Sequence, residues 1–438
     1  MQNININNVI KKGSLCILFF IYIYPLNFNL IPFTSTRIII GTIGIFLLII
    51  NGLTISFKKI ILIKKGWLYI LLSLLTIFII AISTNFINST KETYFLTYPF
   101  SIIALLCASY TLTRAVKAVY RKITFDIIAH YIVISVEIQM IITVLMFIFP
   151  LMRDFLLGIT NNSVLEIAIN SNKQIRIIGF GSQFFDAGIV NCFALILITI
   201  LIKHKIHKTK KASSLPLVFV LIAIVGTIMA RTTLIGIFLS FAILLYKPKI
   251  IKFKPITFKP LIILTTVIAL IVYFIPSSIL ENINTASRFG FEIFYNYFEK
   301  GELNSESTNQ LLDMYNTYPQ NLKTWLIGDG FYANPLDPTL YYMNIDVGYA
   351  RLLFYFGIIG LFAYLFFQFT IIKYANKVTA NGFSLFFFTI GILILILNFK
   401  GMTDLTSLVI LFIFCEQYPK FVAQSTTGLL KPGVLKKN

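Results

Sequence analysis

The sequence predicts an all-α polytopic integral membrane protein with about twelve transmembrane helices. Of the 438 residues, 57% are hydrophobic and only 12% are charged, whereas soluble domains carry about 25% charged residues. The apolar residues form runs near the length of a membrane span, and the basic residues concentrate in alternate connections. These three observations exclude a soluble enzyme, a disordered protein and a coiled coil.

Twelve segments meet or approach the roughly 20 apolar residues that a spanning helix needs. The predicted spans are 14–31, 38–57, 66–83, 96–112, 127–149, 183–202, 215–230, 232–246, 259–276, 348–372, 382–399 and 404–418. Lys11 and Lys12 precede the first span, as in a signal peptide, but no small-residue cleavage site follows it. We therefore expect a retained helix.

The stretch 215–246 is ambiguous, because its 32 mostly apolar residues form either one over-long helix or two short ones. With twelve spans and both termini in the cytoplasm, 26 of the 37 lysines and arginines fall on the cytoplasmic side. A single helix over 215–246 would put the basic runs 203–211 and 247–259 on opposite faces. The positive-inside rule therefore predicts two helices, with Arg231 in the tight outer turn between them.

Only one connection is long. The predicted organisation is spans one to nine over 1–276, an outer loop over 277–347, and spans ten to twelve plus a cytoplasmic tail over 348–438. The loop holds 71 residues, with nine of the 17 acidic residues of the chain and thirteen aromatic residues. Flexible tethers are poor in aromatic residues, so we expect the loop to fold, with amphipathic helices near 288–299 and 308–318. Pro335 and Pro338 interrupt any helix between 330 and 346.

The chain lacks the motifs of metal, nucleotide and nucleophile chemistry. Its four cysteines lie singly within apolar runs, and no metal-ligand spacing, phosphate loop or serine elbow occurs. We expect no cofactor and no metal. The net charge of +20 is explained by orientation and by contact with membrane lipid, so no nucleic-acid partner is expected.

Ionisable residues near membrane depth are costly and mark candidate functional sites. The set predicted in the outer half is Arg176, Asp186, Arg231, Arg351, Lys400 and Asp404. Three arginines on one face suit a phosphate or pyrophosphate, because guanidinium groups bind such oxygens in pairs. The alternative is that the arginines anchor the protein at the membrane interface. No histidine is predicted on the outer side, so a base there is a carboxylate or a tyrosine.

Two motifs carry a resemblance to a known family. Residues 325–331 read Trp-Leu-Ile-Gly-Asp-Gly-Phe, and residues 346–360 read Asp-Val-Gly-Tyr-Ala-Arg-Leu-Leu-Phe-Tyr-Phe-Gly-Ile-Ile-Gly. In this order, after one large outer loop, they resemble the O-antigen polymerase (Wzy-type) family, which is related to the O-antigen ligases. Arg176 and Arg231 also look like arginines of that family, and the predicted topology extends the resemblance over most of the chain.

The resemblance implies a metal-independent glycosyltransferase that acts at the periplasmic face of the bacterial inner membrane. Such an enzyme moves the growing glycan from undecaprenyl pyrophosphate to a hydroxyl of the next lipid-linked repeat unit. Its partners are these lipid-linked oligosaccharides and a protein that regulates chain length. The residues matched to these roles are Arg176, Arg231 and Arg351 for the pyrophosphate, Asp346, Asp329 or Asp186 for the acceptor hydroxyl, and Trp325, Tyr332 and Tyr349 for the sugars.

Two alternatives stay open at this point. One is an O-antigen ligase or another lipid-linked-sugar glycosyltransferase. The ligase branch carries a histidine in its large loop, which this chain lacks. The other alternative is a polysaccharide flippase or another transporter, in which Glu137 within span five would lie on a proton path. Transporters of that kind have two similar halves, whereas here the large loop follows only span nine.

Overall fold

The computed structural model describes residues 6–28, 35–54, 65–160, 177–182, 184–207, 214–246, 277–302, 305–379 and 382–416. Within these ranges the chain is helical, with three isolated β-bridges and no strand. The helices are α1 (Ile6–Ile23), α2 (Thr36–Thr54), α3 (Lys65–Asn88), α4 (Tyr94–Tyr120), α5 (Phe125–Ile148), α6 (Pro150–Ile159), α7 (Phe184–His207), α8 (Leu215–Met229), α9 (Thr233–Leu245), α10 (Ser277–Gly290), α11 (Glu292–Lys300), α12 (Glu306–Tyr315), α13 (Leu322–Ile327), α14 (Gly348–Val378), α15 (Ser384–Leu397) and α16 (Thr406–Val409).

The protein is a helical membrane protein, as the sequence predicts. Among the described residues, five helices are long and apolar enough to cross a membrane, namely α3, α4, α5, α7 and α14. Shorter apolar helices are α2, α8, α9 and α15. The predicted ninth span, 259–276, lies outside the described residues.

Two predicted spans differ from the helices observed. The first was expected to reach residue 31, but α1 ends at Ile23. Pro25 explains this end, because a proline disfavours the helical conformation of the residue before it. The last predicted span, 404–418, is described as far as residue 416, and that part is helical only from Thr406 to Phe412, as α16 and a 3₁₀ turn. Leu405 and Leu408 there are at most 2% exposed, so this short segment lies inside the bundle.

The stretch 215–246 forms two helices, which confirms that prediction. Ala230 has an extended backbone, and the amide of Thr233 donates to its carbonyl. The Thr233 hydroxyl donates back to the Gly226 carbonyl at 2.8 Å. Arg231 therefore lies in the tight turn between α8 and α9.

Contacts at the helix ends define two ends of the bundle. At one end, the residues that start α2, α4, α7 and α14 lie within electrostatic range of one another. At the other end, His204 near the end of α7 lies 3.4 Å from Asp126 at the start of α5, and Lys117 near the end of α4 lies 3.1 Å from Glu416. Both α4 and α7 therefore run from the first end to the second, and α5 starts at the second end.

Four short helices form the segment 277–327, where the sequence predicted two helices. The predicted helix 288–299 is divided at Phe291 between α10 and α11, and α12 ends at Tyr315 rather than at 318. Around Pro335 and Pro338 the described chain has no α-helix, which agrees with the prediction.

The two sequence motifs meet at a kink in α14. Gly357 has φ +66° and ψ −169°, which breaks the direction of the helix. The amide of Asp329 donates to the Phe354 carbonyl at 2.6 Å, and that of Gly330 donates to the Tyr355 carbonyl at 3.2 Å. We call the turn 328–330 and these two hydrogen bonds the latch.

Glycines make this approach possible. A Cβ on Gly328 would lie 2.2 Å from the Tyr355 oxygen, and one on Gly357 would lie 2.2 Å from the Leu326 carbonyl carbon. No side chain fits between the two backbones.

Candidate functional site

The site begins with Arg351 in the first turn of α14. Its side chain is only 7% exposed, and Nη1 lies 3.5 Å from Asp346 Oδ1. The guanidinium carbon lies 4.4 Å from the ring centre of Tyr332 and 3.6 Å from that of Tyr341. Nε and Nη2 are buried and have no hydrogen-bond partner among the described residues. Buried donors without acceptors are costly, so this fork is suited to an anionic ligand.

The two tyrosines are positioned by the chain between residues 332 and 342. Ala333 and Tyr341 form an antiparallel bridge, and the amides of Tyr332 and Ala333 both donate to Glu92 Oε2, at 3.3 and 3.4 Å. The Tyr332 ring stacks on Tyr94 at the start of α4, with 3.6 Å between centroids. Burial raises the pKa of Tyr332, and Tyr94 raises it further. The Tyr332 hydroxyl therefore stays neutral at physiological pH.

Carboxylates face these groups from other helices. Asp404 accepts hydrogen bonds from the Tyr98 hydroxyl at 2.8 Å and from the Thr406 amide at 2.7 Å. Asp186 is exposed in the first turn of α7 and has no hydrogen-bond donor within the described part of the chain. The lone pairs of the Asp186 carboxyl group are therefore available to a ligand.

Arg37 completes the group and was missed from the sequence. It lies at the start of α2, where Nε donates to the Tyr22 carbonyl at 2.7 Å and Nη2 to the Ile23 carbonyl at 2.9 Å. Asp186 and Asp404 both lie within its electrostatic range. Arginine is scarce in this lysine-rich chain, and that scarcity was the signal that could have identified it.

We call Arg37, Asp186, Asp346, Arg351 and Asp404 the polar cluster. Electrostatic coupling links Asp346 to Arg351 and Asp186, and Arg37 to Asp186 and Asp404. Burial raises the pKa of Asp346, whereas Arg351 and Lys400 lower it. The cluster places two cations among three carboxylates at one end of the bundle, an arrangement that can hold an anion beside a proton acceptor.

The other arginines predicted for this site have different surroundings or lie outside the structure. Arg231 Nη1 lies 2.5 Å from Glu292 Oε2 of α11, and its guanidinium lies 4.5 Å from the ring centre of Phe289. Arg176 lies outside the described residues. The structure thus gives Arg231 a partner in the loop and places Arg351 in the polar cluster.

Asp329 and Trp325 make hydrogen bonds within the loop, and Tyr349, another predicted sugar-binding residue, connects two helices. The Thr324 hydroxyl donates to Asp329 Oδ1 at 2.6 Å, and the Tyr342 hydroxyl donates to Oδ2 at 3.3 Å. The Trp325 indole donates to the Pro319 carbonyl at 3.0 Å. The Tyr349 hydroxyl donates to the Leu395 carbonyl at 2.9 Å, which joins α14 to α15.

Comparison with known proteins gives no family assignment: no family model, no curated protein and no solved structure matches the chain. The polar cluster and the motifs of the latch are thus the features of the chain that bear on its function.

Proposed function

We propose that the protein is a glycosyltransferase of the O-antigen polymerase type in the bacterial inner membrane. It transfers a glycan from undecaprenyl pyrophosphate to a hydroxyl of the next lipid-linked repeat unit at the periplasmic face. The observation that carries the proposal is the buried guanidinium of Arg351, whose Nε and Nη2 have no partner among the described residues and which lies in a cluster that also holds an available carboxylate.

The donor pyrophosphate binds Arg351. The Nε and Nη2 hydrogens lie on one edge of the guanidinium and match two oxygens of one phosphate. The rings of Tyr332 and Tyr341 both pack against the guanidinium, with 4.4 and 3.6 Å between its carbon and their centres, and restrict its position. Negative charge develops on the pyrophosphate as it leaves, and a preorganised cation at that position stabilises the transition state. Arg37, anchored by its two carbonyl acceptors, adds a second positive charge.

The acceptor hydroxyl lies beside Asp186. The bond between the anomeric carbon and the pyrophosphate oxygen breaks, and a bond from the same carbon to the acceptor oxygen forms. The hydroxyl proton passes to the carboxylate, and undecaprenyl pyrophosphate is released. Asp186 fits this role better than Asp329, whose two oxygens already accept hydrogen bonds from Thr324 and Tyr342. Asp346 is the second candidate, because it is exposed beside Arg351.

The test is the lipopolysaccharide ladder of a deletion strain, restored with the wild-type gene or with Arg351→Gln. Arg153→Gln is the matched control, because Arg153 is exposed and, among the described residues, pairs only with its neighbour Asp154. We expect the deletion and Arg351→Gln to give core plus a single repeat unit, and the control to restore the ladder. Core alone with long chains left on the carrier would indicate a ligase. Core alone with single units on the cytoplasmic face would indicate a flippase.

A further inference from the structure

The short helix α11 has the reverse of the usual surface pattern. Phe294, Tyr297 and Phe298 lie on one face at helical spacing and are 48%, 50% and 82% exposed. The opposite face carries Glu292 and Glu299. A helix on the surface of a soluble domain turns its apolar face to the core and its charges to water. Here Glu292 faces the protein, Glu299 is exposed at the end of the helix, and the three aromatic rings face outward.

Ion pairs fix this orientation. Glu292 pairs with Arg231 in the turn between α8 and α9, and Glu299 pairs with Arg288 of α10. The Arg231–Glu292 pair is largely buried, with side-chain exposures of 11% and 26%. Rotating α11 to bury its rings would break both pairs and leave Arg231 as an unpaired buried charge, which is strongly unfavourable.

The chain just before α11 packs on a helix that has an outward apolar face. Gly290, two residues before α11, packs against the backbone of Ile228, since a Cβ there would lie 2.9 Å from the Ile228 Cα. Along α8, Val220 and Ile224 are 38% and 48% exposed on an apolar helix. In a membrane protein, such an outward apolar face contacts lipid. The segment that leads into α11 therefore contacts α8 at the end of this face.

We propose that α11 is an interfacial helix whose aromatic face is inserted among the lipids of the adjacent leaflet. Phenylalanine and tyrosine suit this depth, because their rings are apolar and the tyrosine hydroxyl reaches the headgroups. The loop then lies against the membrane. The helix α11 anchors it in the lipid, and the Arg231–Glu292 ion pair connects α11 to the bundle. This inference depends on the membrane character of the protein and is independent of the proposed glycosyl transfer.

Spin labels on the full chain test the proposal. Phe298→Cys and, separately, Phe294→Cys are labelled in vesicles of phosphatidylethanolamine and phosphatidylglycerol. Lys300→Cys is the matched control, because Lys300 is exposed on the same helix but lies off the aromatic face. The labelled wild-type chain gives the background from the four native cysteines. Power saturation then measures how often each spin label collides with oxygen, which concentrates in lipid, and with a water-soluble nickel chelate.

We expect the labels at 294 and 298 to be accessible to oxygen and at least severalfold less accessible to nickel than the label at 300. Equal nickel accessibility at 298 and 300 would place the face in water and overturn the proposal. Spectral broadening at 298 that grows as the lipid-to-protein ratio falls would show contact with a second copy, and would overturn it as well.

Discussion

The latch predicts that Gly328→Ala is far more harmful than an alanine elsewhere in the loop. Gly328 has φ +82° and ψ 179°, a region that side chains rarely adopt. The strain alone costs about 1–3 kcal/mol. The new methyl group would also lie 2.2 Å from the Tyr355 oxygen, so the turn must withdraw from α14. This loses the hydrogen bonds from Asp329 and Gly330, each worth about 0.5–1.5 kcal/mol. The expected total is about 2–6 kcal/mol.

Gly301→Ala is the matched control. Gly301 ends α11 with φ +73°, and nothing lies within 4 Å of a Cβ there. Its alanine variant therefore carries only the conformational cost, about 1–2 kcal/mol. Heating the detergent-purified proteins and measuring the monodisperse fraction by size-exclusion chromatography ranks the two variants. Because such unfolding is irreversible, the comparison is one of midpoint temperatures at one heating rate. A midpoint for Gly328→Ala equal to or above that of Gly301→Ala would refute the close approach at Gly328.

Four further predictions follow from individual side chains. Arg231→Ala and Glu292→Gln should lower thermal stability by similar amounts if Arg231 anchors α11, and a double variant that costs no more than either single one would confirm the coupling. Asp186→Asn should stop chain extension on the ladder with a midpoint temperature near wild type, because Asp186 makes no hydrogen bond within the described residues. Arg351→Lys should restore little extension, because an ammonium keeps the charge but not the fork. Because the pKa of Asp346 is raised, the folded state holds the Asp346 proton more tightly than the unfolded state does. The contribution of Asp346 to stability therefore falls as the pH rises from about 3.9 to the folded pKa. Asp346→Asn should flatten that fall in midpoint temperatures measured across the same pH range.

Composition and charge were enough to predict the class of the fold and one fine detail of it. The basic runs on either side of 215–246 required a break, and the structure places that break at Arg231. The predicted helix bounds were wrong where a single residue ended or divided a helix. Pro25 ended α1 early, and Phe291 divided a predicted amphipathic helix, which a hydrophobic pattern cannot show.

The polar cluster was predictable only in part, because its members come from distant segments. Asp186, Arg351 and Asp404 were identified from their position near predicted span ends, and Asp346 was identified from the family resemblance. Arg37 was not identified, although its two anchoring carbonyls lie about fifteen residues earlier in the chain. Nothing in the sequence showed that Asp329 would bind its own loop. Side-chain partners that depend on tertiary packing cannot be inferred from spacing alone.

The latch and the polar cluster are structurally connected, which gives a physical reason for the two sequence motifs to occur together. Gly330 precedes Tyr332 by two residues, so the hydrogen bonds at the kink fix where the Tyr332 ring lies against Arg351. Arg351 belongs to the part of α14 before Gly357, and the latch binds that same part. The kink thus separates a short segment that carries the arginine from the longer one that continues across the bundle. A change in the Gly-Asp-Gly turn should therefore displace the Tyr332 ring that packs on the guanidinium, without a change in Arg351 itself. The loop motif thus positions the residue on which the proposed chemistry depends.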